Sequence, residues 1–315
     1  MTPSLIFFGS DQYSAIVLSH LLTANSLQPT VVITDHKKGG TNVEKLAKKH
    51  NLKVLYYPDI PHSLITKDTL GLCASFDHLI PAELITSFAG RLYNLHPSLL
   101  PQYRNVSPVQ YAIALGDQVT GITLFRISPC IDDGEIIAQI EEPILPDDTT
   151  PTLTTRLFEL GAELFLGSVF QRSDLVGHPT RSDLVGAPKS PLIFTRRLTR
   201  DSGYLEWATL QKLLANQPIS PSDTKNELLH LRLSRGSDLK GSAHPADSKA
   251  GRSDPINDLL RALTPWPGVW STVKTKKKIL RVTLVPKGSD PQSIMILIAG
   301  KPKPILYNDF IKYYL

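Results

Sequence analysis

Residues 4–34 read SLIFFGSDQYSAIVLSHLLTANSLQPTVVIT, and the order of patterns in this stretch points to a fold class. The apolar run SLIFFG is followed by QYSAIVLSHLLTAN, which has helical apolar spacing, and then by a second apolar run, PTVVITD. The two apolar runs predict buried strands, and the segment between them predicts a helix. Strands that alternate with helices predict an open, largely parallel sheet with its ligand site at the carboxyl ends of the strands.

The same alternation continues through the first half of the chain. TNVEKLAKKHN predicts a short helix with Thr41 or Asn42 as its N-cap, and LKVLYYP, GLCASFDHLIP and RLYNLHPS predict strands three to five. SPVQYAIALGD and TPTLTTRLFELGAELFLGSVFQ predict helices on either side of the strands TGITLFRI and GEIIAQIEEPI. A single glycine follows strand one, and no Walker-type loop is present. The Rossmann-like sheet therefore does not imply a bound dinucleotide.

Length and composition favour a two-domain protein with an anionic partner. The chain has 315 residues, a net charge of +5 and a pI of about 9.0, which favours a partner such as nucleic acid. No apolar run reaches the length of a membrane span, and the amino terminus lacks the basic region of a signal peptide. The two cysteines are too few for a disulfide framework, so we expect a cytoplasmic protein without membrane association.

Two polar segments interrupt the second half of the chain. RSDLVGHPT is followed directly by RSDLVGAPK, a tandem nine-residue repeat that predicts an expanded surface loop, with a functional basic arm as the alternative. In a second polar stretch only ELLHLRL has the pattern of a folded piece, and the tail alternates apolar segments as a small β-barrel of the oligonucleotide-binding kind does. The predicted organisation is an α/β domain at 1–171, a repeat insertion at 172–192, an interdomain segment at 193–217, a polar flexible insertion at 218–255 and a β-barrel domain at 256–315.

Polar side chains collect where the predicted strands end. Asn94 and His96 lie two apart in NLHPSLLPQYR, so they share one face of strand five. Asp132 precedes Asp133 and Gly134 between two later strands. A histidine beside a carboxylate acts as a cationic donor or an acid, and a nearby amide adds a fixed donor, which together suit a developing oxyanion. A structural histidine, a backbone-bonded asparagine and a plain Asp-Asp-Gly turn are the alternatives.

The motifs YNLHPSLLPQYRNVSP, GDQVTGITLF and CIDDGEII together resemble those of the 10-formyltetrahydrofolate-dependent formyltransferases. The later segments FTRRLTRDSGYLEW, RALTPWPGVW and GKPKPILYNDFI are similar to the carboxyl-terminal part of the family members that formylate methionyl-tRNA. The resemblance implies a formyltransferase fold with a small tRNA-binding barrel. It also implies a monomeric, metal-free enzyme of translation initiation with initiator methionyl-tRNA as partner.

The resemblance also implies roles for individual residues. Asn94 and His96 would hold the carbonyl oxygen of the formyl group during direct attack by the amine, and Asp132 would manage the protons. The residues expected around the co-substrate 10-formyltetrahydrofolate are Phe76, Leu79, Ile80, Pro81, Ser98, Leu99, Pro101 and Cys130. The residues expected to contact tRNA are Lys37, Lys38, Arg104, Lys274, Lys276, Lys278, Lys301 and Lys303; for Lys274, Lys276 and Lys278 a solvated strand face is the alternative.

Departures from the family pattern keep two other functions open. Asn105 replaces a glycine, Asp77 replaces another, and Ser128-Pro129-Cys130 replaces an acidic-x-Gly segment. Asparagine tolerates positive φ, so we expect the backbone at 105 to be kept. The loop TDHKKGGTNVEK is shorter than the basic loop of the tRNA enzymes. It favours an N-formyltransferase acting on an amino sugar nucleotide, and a non-catalytic RNA-binding relative is the third hypothesis.

Overall fold

Seven strands of the chain form one sheet with helices packed against it. The computed structural model describes residues 4–24, 27–170, 192–215, 217–238, 254–275, 278–286, 294–298 and 305–314. The strands of the sheet are Leu5–Phe8 (β1), Pro29–Thr34 (β2), Lys53–Tyr56 (β3), Leu70–Ala74 (β4), Leu92–His96 (β5), Val119–Arg126 (β7) and Ile136–Pro143 (β8). Their order is β3-β2-β1-β4-β5-β7-β8. The first five are parallel and the last two are antiparallel, so the predicted open, mostly parallel sheet is confirmed.

The helices of this region begin and end where local sequence signals place them. They are Gln12–Thr23 (α1), Asn42–Lys49 (α2), Ala82–Ser87 (α3), Pro108–Leu115 (α4) and Thr150–Phe170 (α5), with a 3-10 turn at His62–Leu64. The Asp11 carboxylate caps α1 by accepting from two backbone amides, and the Thr41 hydroxyl caps α2 by accepting from Glu44 N at 2.9 Å. Thr41 is therefore the cap that the sequence left open between two residues.

Strand β1 lies at the centre of the core. All four of its side chains are 0% exposed, because neighbouring strands pair on both sides and apolar side chains cover both faces. Each such side chain contributes roughly 1.5–3 kcal/mol when it leaves water. On one face α5 approaches the sheet closely at Gly161, where an added Cβ would lie 3.1 Å from Ile122 and 3.2 Å from Leu95. Phe165 of α5 also packs edge-on against Tyr93 of β5, with ring centroids 6.3 Å apart, so α5 holds β5 from this face.

A short parallel pair outside the main sheet joins distant parts of the chain. Arg104–Asn105 (β6) pairs with Phe194–Thr195 (β9), with Arg104 opposite Phe194 and Asn105 opposite Thr195. Neither strand was predicted from the sequence, because two residues carry no period.

The chain divides into two units, which are Met1–Pro108, Val119–Pro143 and Thr152–Thr195 for the first and Val109–Gln118, Ile144–Pro151 and Arg196–Leu315 for the second. The predicted repeat falls almost wholly outside the described residues, and so does the end of the polar insertion. The segment boundaries given above stay predictions. None of the helices in the described part of the chain is both long and apolar enough to cross a lipid bilayer.

The second unit contains short helices and an antiparallel sheet. Its helices are Trp207–Leu214 (α6), Glu227–Asp238 (α7), Pro255–Ala262 (α8) and Tyr307–Tyr314 (α9), with 3-10 turns at Arg200–Gly203 and Pro221–Asp223. Its strands are Trp270–Lys274 (β10), Ile279–Pro286 (β11), Ile294–Ile298 (β12) and Ile305–Leu306 (β13), paired in that order. Helix α7 begins with the ELLHLRL segment that the sequence marked as able to fold.

The predicted small barrel needs a correction. Within the described ranges of the second unit, strand β10 does not pair with β13, so the four strands form an open sheet. Val273, Val282, Ile296 and Phe310 are buried between this sheet and α9. Strand β13 is only two residues long, which is too short to close a barrel against β10.

Candidate active site

Asn94 and His96 lie on the same face at the carboxyl end of β5. The strand places Asn94 opposite Cys73 of β4 and Phe125 of β7, and His96 opposite Thr123. Burial raises the pKa of the Cys73 thiol, so this cysteine is an inert core residue. Asn94 is half-buried, and its amide makes no hydrogen bond to any described residue. An amide held by a rigid strand is therefore available to a ligand.

Both ring nitrogens of His96 have defined neighbours. Nε2 lies 2.9 Å from the Tyr103 carbonyl oxygen, and because a carbonyl only accepts, Nε2–H donates. Nδ1 lies 3.5 Å from Oδ2 of Asp132. A singly protonated ring with this arrangement carries its proton on Nε2, so Nδ1 donates only when the ring is doubly protonated.

Asp132 reaches His96 from a tight turn between β7 and β8. Its backbone adopts φ +48°, and its side chain is only 13% exposed. The turn packs so closely on β7 that a Cβ at Gly134 would lie 1.7 Å from the Arg126 carbonyl oxygen. Glycine at this position therefore lets the Asp-Asp-Gly segment lie against β7 with Asp132 facing β5.

The tripeptide Tyr103–Asn105, which we call the strap, makes hydrogen bonds to both His96 and Asp132. Its first residue supplies the carbonyl that accepts from His96. Its last residue donates its backbone N–H to Oδ2 of Asp132 at 2.7 Å. Asn105 has φ +80°, which confirms that the asparagine keeps the backbone conformation a glycine would favour. Between them, Arg104 forms an ion pair with Asp133 at 2.6 Å.

The loop between β5 and the strap is held by its own hydrogen bonds. The buried Ser98 hydroxyl donates to the Gln102 carbonyl at 2.6 Å, so it is engaged within the loop. The Thr123 hydroxyl donates to the Ser98 carbonyl at 2.6 Å and accepts from the Leu100 amide at 3.0 Å. The Gln139 amide nitrogen donates to the Leu100 carbonyl at 2.9 Å. The sequence did not mark Thr123 and Gln139, which resemble ordinary strand residues. Leu99 and Pro101 are half-buried in this loop.

An open cleft of about 330 Å³ lies at the carboxyl ends of β1 and β2. Ligands of open α/β sheets bind at such strand ends. Its lining contains one residue from the sequence predictions, Lys37; the full set is Ser10, Asp11, Gln12, Tyr13, Lys37, Gly40, Thr41 and Asn42.

Comparison with known proteins relates this arrangement to one family. Residues 17–169, which include Asn94, His96 and Asp132, match the formyl transferase family model. The chain is therefore similar to formyl transferases over this segment. It is 27% identical over 306 residues to the methionyl-tRNA formyltransferase of Corynebacterium diphtheriae, covering 91% of this chain and 83% of that protein. It is 28% identical over 225 residues to the enzyme of the same name from Buchnera aphidicola, covering 67% of this chain and 70% of that protein.

A solved structure shares the fold of this chain over nearly its whole length. The crystal structure of a sugar 3N-formyl transferase superposes with a TM-score of 0.54 at 16% identity, covering 96% of this chain and 99% of that one. At this identity the likeness concerns the fold alone.

The segment expected to hold the folate of a formyl transferase splits between core and surface. Phe76 and Ile80 pack against the core cluster that contains Phe8. Leu79 is 74% exposed, and Pro81 lies exposed at the start of α3. Cys130 is also exposed, in the loop between β7 and β8. Leu79, Pro81 and Cys130 are thus accessible to a ligand, whereas Phe76 and Ile80 are partly buried against the core.

Two ion pairs tie down the short loop that follows β2, and we call the group of Asp35, Lys37, Asp77 and His78 the loop latch. The Lys37 ammonium lies 3.1 Å from Asp35 and 3.5 Å from Asp77, and His78 Nε2 contacts the other Asp35 oxygen. Burial raises the pKa of the Asp35 carboxyl, but its hydrogen bonds, first of all from Ser10 and Lys37, outweigh burial and hold that pKa below its usual value.

The basic residues predicted to contact tRNA therefore differ in availability. Lys37 is engaged in the loop latch, and Arg104 is engaged with Asp133. Lys38, Lys274 and Lys278 are exposed and make no ion pair with any residue in the described ranges. The remaining three predicted contacts, Lys276, Lys301 and Lys303, lie outside the described residues.

No group of three or more His, Cys, Asp or Glu side chains that would suit a metal ion occurs among the described residues.

Proposed function

We propose that this chain transfers the formyl group of 10-formyltetrahydrofolate to the α-amine of initiator methionyl-tRNA. The observation that carries the proposal is the His96–Asp132 pair beside the available Asn94 amide, inside the family match. The relative named methionyl-tRNA formyltransferase supports the choice of acceptor, because the similarity extends over 91% of this chain and so beyond the family domain. The proposal includes a monomeric cytoplasmic enzyme.

The residues at the site suit the folate co-substrate. The co-substrate supplies the formyl carbon, and its carbonyl oxygen gains negative charge when an amine attacks. The Asn94 amide is available to donate to that oxygen, and Ile131, next to Asp132, is 50% exposed and offers apolar contact. The side chains therefore present a donor and an apolar surface, as a flat heteroaromatic ligand with a reactive carbonyl requires.

His96 and Asp132 have different roles: His96 stabilises the negative charge that develops on the formyl oxygen, and Asp132 transfers protons. His96 places positive charge beside the oxygen, with its Nε2–H donating to the Tyr103 carbonyl and its Nδ1 facing Asp132 at 3.5 Å. Asp132 stabilises the cationic ring, accepts the proton released by the attacking amine, and helps return it to N10 of the folate as the bond between N10 and the formyl carbon breaks. Each well-placed oxyanion donor contributes about 10²- to 10³-fold in rate, and acid–base assistance contributes about 10²- to 10⁴-fold.

A second acceptor, an amino sugar nucleotide, is favoured by one observation. The loop after β2 is short, and the loop latch neutralises Lys37 with two carboxylates. A loop of this kind offers less positive charge to a tRNA acceptor stem than a long basic loop does.

One assay distinguishes the candidates. Purified protein receives 10-formyltetrahydrofolate together with either charged initiator tRNA or an amino sugar nucleotide, and formylated product is measured. We expect formyl-methionyl-tRNA, loss of at least about 10²-fold in kcat for His96→Asn, and no change for the control His50→Asn at the exposed end of α2. Formylation of the sugar alone would establish the second candidate. Binding of tRNA without formylation of either acceptor would establish the non-catalytic relative.

A further inference from the structure

The strap touches the catalytic pair through one peptide group in particular, the group between Arg104 and Asn105. Its N–H is the donor to Oδ2 of Asp132 at 2.7 Å. Its carbonyl oxygen accepts from the Thr195 hydroxyl at 2.8 Å. The N–H and C=O of a trans peptide are fixed in one plane and point in opposite directions. Holding the carbonyl therefore aims the N–H.

Thr195 is well placed to hold this peptide. It is 1% exposed, and its hydroxyl proton is shared with a second carbonyl of the same segment, that of Val106. Its own carbonyl accepts from the Asn105 side-chain amide at 3.2 Å. The backbone pairing of β6 with β9 covers only two residues on each side, so side-chain contacts supply much of what fixes the strap.

We infer that Thr195 is a positioning residue for the formyl transfer proposed above. It acts along the path from its hydroxyl through the Arg104–Asn105 peptide to Asp132, and from Asp132 to Nδ1 of His96. A hydroxyl that donates to the carbonyl also polarises the peptide and strengthens its N–H as a donor to the carboxylate. Thr195 touches no reacting atom; it sets the distance and direction of the carboxylate that serves His96.

The inference rests on the proposed function, and its test separates the hydroxyl from the rest of the side chain. Thr195→Val keeps the shape and removes the donor, whereas Thr195→Ser keeps the donor. We expect Thr195→Val to lower kcat by about 10- to 100-fold, as misplacement of a supporting group does, with KM nearly unchanged. We expect Thr195→Ser to retain most of the wild-type kcat. Thr23→Val removes an exposed hydroxyl that also donates to a carbonyl, at 2.9 Å, and serves as the matched control without effect.

A second measurement reports on His96 without any acceptor. Protein labelled with ¹⁵N-histidine gives ring nitrogen signals, and those of His96 are identified by their absence from His96→Gln. Thr195→Val is expected to shift these signals, and Thr195→Ser and Thr23→Val are expected to leave them in place. A general loss of folding would alter the other histidines as well, so a change confined to His96 marks positioning.

The outcomes are distinct. Unchanged kcat and unchanged His96 signals in Thr195→Val overturn the inference. Equal losses in the valine and serine variants overturn it too, because they assign the effect to packing. If the wild-type protein formylates no acceptor, the proposed function fails, and the ¹⁵N spectra still decide whether Thr195 controls the environment of His96.

Discussion

Replacement of Asp132 by asparagine removes one charge and little else. In the wild type the Asn105 N–H donates to the Asp132 carboxylate at 2.7 Å. An asparagine at position 132 keeps a side-chain oxygen that can accept this hydrogen bond. It also tolerates positive φ better than most residues, and residue 132 has φ +48°. The fold around the strap should therefore survive, so that a loss of rate reports on the charge.

The size of the effect follows from the distance between the two side chains. Unit charges separated by the 3.5 Å between His96 Nδ1 and Asp132 Oδ2 attract by about 5 kcal/mol at an effective dielectric constant of about 20. Acid–base assistance of about 10²- to 10⁴-fold corresponds to roughly 3–5 kcal/mol and so lies within that limit. We expect Asp132→Asn to lower kcat by about 10²- to 10⁴-fold.

The assay compares initial rates of formyl transfer at saturating co-substrate for the wild type, Asp132→Asn and Asp147→Asn. Asp147 is exposed in the loop before α5, and its replacement changes the net charge by the same amount. Thermal unfolding of each variant checks that the fold is intact. A folded Asp132→Asn enzyme that keeps more than about a tenth of the wild-type kcat would refute the reasoning from charge, because acid–base help is worth at least about 10²-fold.

Three further outcomes test other parts of the structure. Asp258 is 0% exposed between two arginines, so Asp258→Ala should cost about 3–5 kcal/mol in the free energy of unfolding measured with urea, while Asp147→Ala should cost almost nothing. Gly134→Ala should lower the free energy of unfolding by about 1–3 kcal/mol and also lower kcat, because its Cβ would lie 1.7 Å from the Arg126 carbonyl oxygen; an unchanged melting temperature would contradict this. Burial raises the pKa of Asp35, but hydrogen bonds to its carboxylate, first from Ser10 and then from Lys37, outweigh burial and lower that pKa. These contacts therefore add stability above the unfolded-state pKa of about 3.9, and that stability is lost as the pH falls through the folded-state pKa. The difference in stability between the wild type and Asp35→Asn should therefore be present at neutral pH and vanish in acid; a difference that persists there would count against the latch.

The sheet was predictable because apolar residues recur at a regular spacing along its strands and helices. This spacing arises because one or both faces of each element are buried in the core. The apolar run of β1 and the helical spacing of α1 both follow from the core they share. The reversal of direction at β7 was not predictable, since a strand with the same side chains pairs either way. The small carboxyl-terminal β domain was predicted, but its described residues form an open four-stranded sheet in which β13 comprises two residues.

In the candidate site, too, the residues fixed by local strand geometry were predictable, and those fixed by long-range pairing were not. Asn94 and His96 share a face by strand geometry, and a carboxylate between strands was the natural partner for the histidine. The strap could not be predicted from the sequence, because its residues pair with Phe194–Thr195 (β9), which lie some ninety positions later in the chain. In the sequence, Thr195 resembles any other β-branched strand residue. Its role is visible only from the hydrogen bonds that its hydroxyl makes to the strap.

The loop latch reduces the contribution that Lys37 can make to binding a polyanion such as nucleic acid. A lysine with no carboxylate at hand releases condensed counterions when it meets a phosphate and adds about 0.9 to the slope of log K against log salt on duplex nucleic acid. Lys37 has first to leave Asp35 and Asp77, and the two carboxylates left behind repel the incoming phosphate. Its share of the salt slope is therefore close to nothing. We expect lysines such as Lys274 and Lys278, which are exposed and have no ion pair in the described ranges, to contribute most of the salt dependence if the protein binds tRNA.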